Sequence, residues 1–169
     1  MNLEEAITTA LEYENQLRDL YLQGALETTD PKGKKVFQAL ADDEQRHVDY
    51  LEHQLKQWKA TGHITPEKLE SSIPPQEVIR REAAKVSSQL SREDRGLQEQ
   101  QLSKALKVEK ETSRFYQQLV SELPEEGRTM FARFLDIENA HVEAVQFELD
   151  YVSHNGYWFG FEEFDLEVE

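Results

Sequence analysis

The sequence predicts an all-α protein, an antiparallel four-helix bundle made of two helix-pair repeats joined by a long crossover. Three observations carry this. Apolar residues recur every three to four positions along four long stretches, the period of one helix face. Helix breakers are scarce, seven Gly and five Pro in 169 residues, while the good helix formers Ala, Leu, Glu, Gln and Lys abound. And the second half of the chain repeats the first.

The first helix is expected from about Leu3 to Ala25, with Leu3, Ile7, Ala10, Glu14, Leu17 and Tyr21 on one stripe. The run Thr28-Thr29-Asp30-Pro31-Lys32-Gly33 breaks it, and Pro31 suits a first helical turn. The second helix runs to about Lys59, its stripe passing through Phe37, Leu40, Glu44, His47, Leu51 and Trp58. A crossover covers about residues 60–91; Pro74-Pro75 stops any helix, and residues 76–90 form a shorter one. Ser91 to Asp94 reads as a helix start, with an acid three residues after the cap. The third long helix continues through Leu102, Ala105, Glu109 and Tyr116 to about Val120. Glu122-Leu123-Pro124 interrupts the chain, and the fourth helix carries Phe131, Phe134, Glu138, His141 and Val145 to about Val152. Short turns within each pair make the partners antiparallel neighbours.

The repeat is specific. Ala10-Leu11-x-x-Glu14 aligns with Ala105-Leu106-x-x-Glu109, placing Tyr21 on Tyr116 and Gln23 on Gln118 without a gap. After a one-residue adjustment, Gly33, Phe37, Asp42, Glu44 and His47-Val48 fall on Gly127, Phe131, Asp136, Glu138 and His141-Val142. Each half therefore holds a Glu followed by a Tyr two turns later, then Glu-x-x-His on the next helix. All eight side chains occupy the stripe otherwise held by Leu, Phe, Ile and Val.

Four carboxylates aimed at one core repel one another unless they are protonated, hydrogen-bonded or separated by cations. Glu14, Glu44, His47, Glu109, Glu138 and His141 match the bundle arrangement in which two helices each give a Glu and two give Glu-x-x-His around a pair of metals. Oxygen and imidazole ligands without thiolate suit iron or manganese, and zinc also fits. Two metals would share the central carboxylates as bridges. Tyr21 and Tyr116 are expected to donate O–H bonds to carboxylates and so fix ligand orientation. A metal-bound His needs a partner for its other ring nitrogen; Asp43, one residue from the stripe, is expected to bond His141, leaving His47 with a weaker or different partner. His53, His63 and His154 fall outside the repeat and read as surface.

Composition narrows the setting. A formal net charge of −15 argues against nucleic acid and anionic membrane as partners. Cys is absent, which excludes disulfides and thiolate-held metal. The start of the chain lacks the basic and apolar run of a signal peptide, so a cytoplasmic location is expected.

Glu14-Asn15-Gln16-Leu17-Arg18 with Tyr21, followed by Glu44-Gln45-Arg46-His47 and repeated at Glu109, Tyr116, Glu138 and His141, resembles the rubrerythrin branch of the ferritin-like superfamily over roughly residues 3–152. The resemblance implies a ferritin-like bundle with two iron ions, ligated by Glu14, Glu44, His47, Glu109, Glu138 and His141, in a protein that reduces peroxide or oxidises ferrous iron. Two features depart from rubrerythrins. Without Cys there is no rubredoxin module, so electrons must come from an external donor protein or a small donor. Thr112 stands where rubrerythrins place an additional Glu, which brings the set closer to that of bacterioferritins. The expected function is a di-iron oxidoreductase reacting with hydrogen peroxide or dioxygen. The alternatives are a ferroxidase serving iron storage or detoxification, and a bundle whose metals only stabilise it. Residues 1–153 would form the bundle; 154–169, with Tyr157, Trp158, Phe159, Phe161 and Phe164, form an aromatic tail packing on it or on a partner in a homodimer.

Overall fold

The computed structural model describes residues 1–64, 67–86 and 96–155. All regular structure among them is helical: α1 (Leu3–Glu27), α2 (Pro31–Thr61), α3 (Gln76–Val86), α4 (Gly96–Glu122) and α5 (Glu125–Asn155). The expected helix start at Ser91–Asp94 and the aromatic run of the tail lie outside the described residues. No helix among those described is long and apolar enough to cross a membrane.

The ends follow local chemistry. Asn2 caps α1: its side chain accepts the Glu5 N–H at 2.8 Å while the Glu5 carboxylate accepts the Asn2 N–H at 3.1 Å, satisfying two donors that the first turn leaves free. The Asp30 carboxylate accepts the N–H groups of Lys32 and Gly33, with Pro31 at the first helical position of α2. At the other end of α2, Gly62 takes φ 74°, a left-handed conformation that stops the helix without a Cβ penalty. Both α1 and α2 run about half a turn beyond the expected ends, to Glu27 and Thr61.

The helices pair as neighbours in sequence: α1 packs along α2, α4 along α5, α1 beside α4, and the short α3 against α5. Tyr21 meets Glu109 while Glu14 meets Tyr116, so α1 and α4 run antiparallel. Gly24 lets α1 and α2 approach closely, since a Cβ there would lie 2.8 Å from the Phe37 ring.

The apolar core comes in two parts. One gathers Leu17, Tyr21, Phe37, Leu40, Leu102, Ala105, Ala144 and Val145; the other gathers Ile7, Ala10, Leu51, Tyr116, Phe131 and Phe134. In each long helix the boundary between the two parts falls at the same place. Glu14 lies between Ala10 and Leu17, Glu44 and His47 between Ala41 and Leu51, Glu109 between Val108 and Tyr116, and Glu138 and His141 between Ile137 and Ala144. A polar layer thus crosses the interior at mid-height, sealed by hydrocarbon above and below.

Candidate metal centre

All eight stripe residues expected from the repeat reach this layer, and each is 0% exposed. The six acids and imidazoles form two overlapping sets. Glu14, Glu44, His47 and Glu138 bring one ligand atom each within 4.8 Å of one another, and so do Glu44, Glu109, Glu138 and His141. Glu44 and Glu138, the Glu of each Glu-x-x-His, belong to both sets. Glu14 and Glu109, the single acids of α1 and α4, each belong to one.

The spacing suits ligands around common ions. His47 Nδ1 lies 3.3 Å from Glu14 Oε2, 3.3 Å from Glu44 Oε2 and 3.4 Å from Glu138 Oε1. His141 Nδ1 lies 2.7 Å from Glu44 Oε1, 3.3 Å from Glu109 Oε1 and 3.9 Å from Glu138 Oε2. Metal–ligand bonds of about 2.0–2.2 Å place neighbouring ligand atoms about 3.0–3.5 Å apart, the range that most of these separations occupy. Both oxygens of Glu44, both of Glu138, Oε2 of Glu109 and Nδ1 of His141 are buried without a hydrogen-bond partner. Buried polar atoms are nearly always partnered, so a cluster of orphans on carboxylates and imidazole points to something that takes lone pairs. These residues fit metal ions.

Electrostatics of the layer agree. Burial raises Glu44, and the adjacent Glu14 raises it further; burial raises Glu138, reinforced by Glu109, Glu14 and Glu44. Burial would also raise Glu14, but the His47 charge and the hydrogen bonds of His47 and Tyr116 outweigh it and bring its pKa to about 2. Burial alone would lower the two histidines; their carboxylate neighbours win, and both are raised well above the ordinary imidazole value. Without a cation, protons supply the positive charge that the four carboxylates require.

The tyrosines are donors, and they cross. The Tyr21 hydroxyl donates to Glu109 Oε1 at 2.5 Å and the Tyr116 hydroxyl to Glu14 Oε1 at 2.5 Å, each to the acid of the opposite repeat. Burial and the adjacent carboxylates push both phenols well above their ordinary pKa, which keeps the proton on the oxygen.

Asp43 lies behind the histidines, as expected for His141. Its Oδ2 is 2.7 Å from His141 Nε2 and 3.5 Å from His47 Nε2, and the two rings stack at 5.4 Å between centroids. These three residues also lie close enough to hold an ion. Hydrogen bonding describes them better: 2.7 Å is the length of a charge-assisted N–H···O bond, and the Arg46 guanidinium, 2.5 Å from Oδ1, already supplies the positive charge. Burial would raise Asp43, but the His141 hydrogen bond and charge outweigh it, helped by His47 and Ser71, and hold it well below the usual carboxylate range.

No protein-family model, curated protein or solved structure matches this chain.

Sequence reasoning missed the crossover's part in the site. Ser71 Oγ donates to Asp43 Oδ2 at 2.8 Å and the Ser72 N–H donates to Oδ1 at 3.0 Å. Nothing in the local pattern of a turn-rich segment marks those serines. Ser71 also borders a surface cavity of about 400 Å³ lined by Ile73, Gln76, Arg133, Asp136 and Ile137 among others. Asp42 and Asp136, equivalent in the repeat, are exposed, and so are His53 and His63. The His154 side chain lies outside the described residues.

Proposed function

We propose that this protein is a non-haem di-iron oxidoreductase that reacts with hydrogen peroxide or dioxygen, on a ferritin-like four-helix bundle of the rubrerythrin type. The observation that carries the reading is the overlap of two buried ligand sets on Glu44 and Glu138. Glu14, Glu44, His47 and Glu138 would hold one iron ion, and Glu44, Glu109, Glu138 and His141 the other. When bound there, a pair of ferrous ions would supply Lewis acidity and, on becoming ferric, two electrons for an O–O bond.

The chain's own residues do the rest. Glu44 and Glu138, common to both sets, would contact both ions, and their freedom from hydrogen bonds would leave them able to shift as charge changes. Tyr21 and Tyr116 each hold one of the two terminal acids by a hydrogen bond from the hydroxyl. The apolar clusters on either side of the layer keep bulk water out, strengthening each charge interaction within it. Complete burial of the ligands favours an oxidant of two heavy atoms over an organic substrate. With no Cys in the chain, we assign re-reduction to an external electron donor protein, and picture a cytoplasmic homodimer.

Anaerobic loading with ferrous iron tests the reading. Two tightly held ions per chain, retained while hydrogen peroxide is consumed over many turnovers, are expected. Saturation at one ion or none overturns the di-iron assignment. Uptake well beyond two ions per chain with a mineral product would replace peroxide reduction by iron storage.

A further inference from the structure

We infer that the two metal positions are inequivalent, the one closed by Glu109 and His141 being the tighter, and that Ser71 of the crossover is the positioning residue that makes it so. This rests on the metal reading above and adds to it an order of affinity and a cause.

The repeat makes the two positions nearly alike. Both share Glu44 and Glu138, each adds one Glu and one His, and each terminal Glu receives a tyrosine hydroxyl at 2.5 Å. The difference lies behind the histidines. His141 Nε2 has Asp43 Oδ2 at 2.7 Å, whereas His47 Nε2 is buried without a hydrogen-bond partner and 3.5 Å from the same oxygen. The repeat explains the asymmetry: Ile137 occupies the place in α5 that Asp43 occupies in α2, and Ala140 the place of Arg46. One carboxylate must serve two imidazoles, and it is drawn to one.

What draws it is outside the repeat. Ser71 Oγ donates to Oδ2, the oxygen that meets His141, while the Ser72 N–H and Arg46 hold Oδ1. Arg46 also donates to Ser72 Oγ at 2.8 Å, tying the crossover to α2. A ligating imidazole whose distal N–H is bonded to a fixed carboxylate is oriented and made a better donor, and losing such a partner costs roughly 10–100-fold in metal affinity. His141 has that support, and His47 does not.

Cobalt(II) titration of the metal-free full-length protein, read by its visible ligand-field absorption, tests this. The parent should bind in two steps separated by about 10–100-fold. Glu14→Ala should keep the tight step and Glu109→Ala should lose it. In Ser71→Ala the tight step should weaken by up to roughly 10-fold while the weak step stays put, and Ser71→Thr, which retains the hydroxyl, should behave as the parent. Steps of equal affinity in the parent, or a tight step that survives Glu109→Ala, overturn the inequivalence. A tight step unchanged in Ser71→Ala, or both steps shifted alike, overturns the role of Ser71. Failure of the parent to take up cobalt at all overturns the metal reading instead, so the two failures are told apart.

Discussion

The roles of individual residues follow from how many ligand sets each belongs to. Glu44 serves both sets and is otherwise unpartnered. Glu44→Ala should therefore leave at most one ion per chain in metal analysis after gel filtration. Tyr21→Phe removes only a hydrogen bond to Glu109, so both positions should stay occupied at saturating metal, with affinity or turnover reduced by about 10–100-fold. A Tyr21→Phe protein as empty as Glu44→Ala would make the tyrosine a ligand and refute the division of roles. At this scale the sequence was informative because polar residues on an apolar stripe stand out, and a repeat shows them twice. The exchange of tyrosines between repeats was not legible. Spacing puts Tyr21 on the face of Glu14 within α1, and only the packing of α1 beside α4 turns its hydroxyl to Glu109.

At the scale of helices, close approach is set by what the facing side chain can yield. A Cβ on Gly24 would lie 2.8–2.9 Å from three atoms of the Phe37 ring, and a fully buried ring has no flexible end to move. Overpacking of this kind costs about 1–3 kcal/mol, which the better helix propensity of Ala offsets by about 1 kcal/mol. Gly24→Ala should thus lower the unfolding free energy by a net of up to about 2 kcal/mol, read as a lower urea midpoint with an unchanged slope; an unchanged or raised midpoint would show that α1 and α2 can separate without loss. Gly127 is a contrast, because a Cβ there meets first the Cδ1 of Leu3, the end of a rotatable chain. Helix breaks at Asp30-Pro31 and Pro74-Pro75 were legible because proline and capping chemistry act locally. The bonds from Ser71 and Ser72 to Asp43 span 28 and 29 residues, and no local rule points to them.

For the whole molecule, a layer of buried acids and imidazoles at the centre of the core would make metal and fold mutually dependent. The metal-free interior must bury acids and imidazoles with orphaned atoms, so ions that bind only the folded chain stabilise it by mass action, by about 4 kcal/mol at a thousandfold excess over Kd. For a chain of this size that corresponds to a rise in Tm of roughly 8–16 °C. Calorimetry of chelator-treated and ferrous-loaded protein should show the rise, and Glu44→Ala should lose most of it. Equal transitions with and without metal would mean that the layer carries no ion. The sequence by itself determined the helical class, the four long helices with their order, and the eight residues of the polar layer. It could do so because helical period, breakers and repetition are properties of neighbouring positions along one chain. Only the tertiary structure decided which acids are shared, which tyrosine serves which acid, and that one histidine is held by Asp43 while its twin is not. Those outcomes depend on distances between helices and on a crossover that has no counterpart in the repeat.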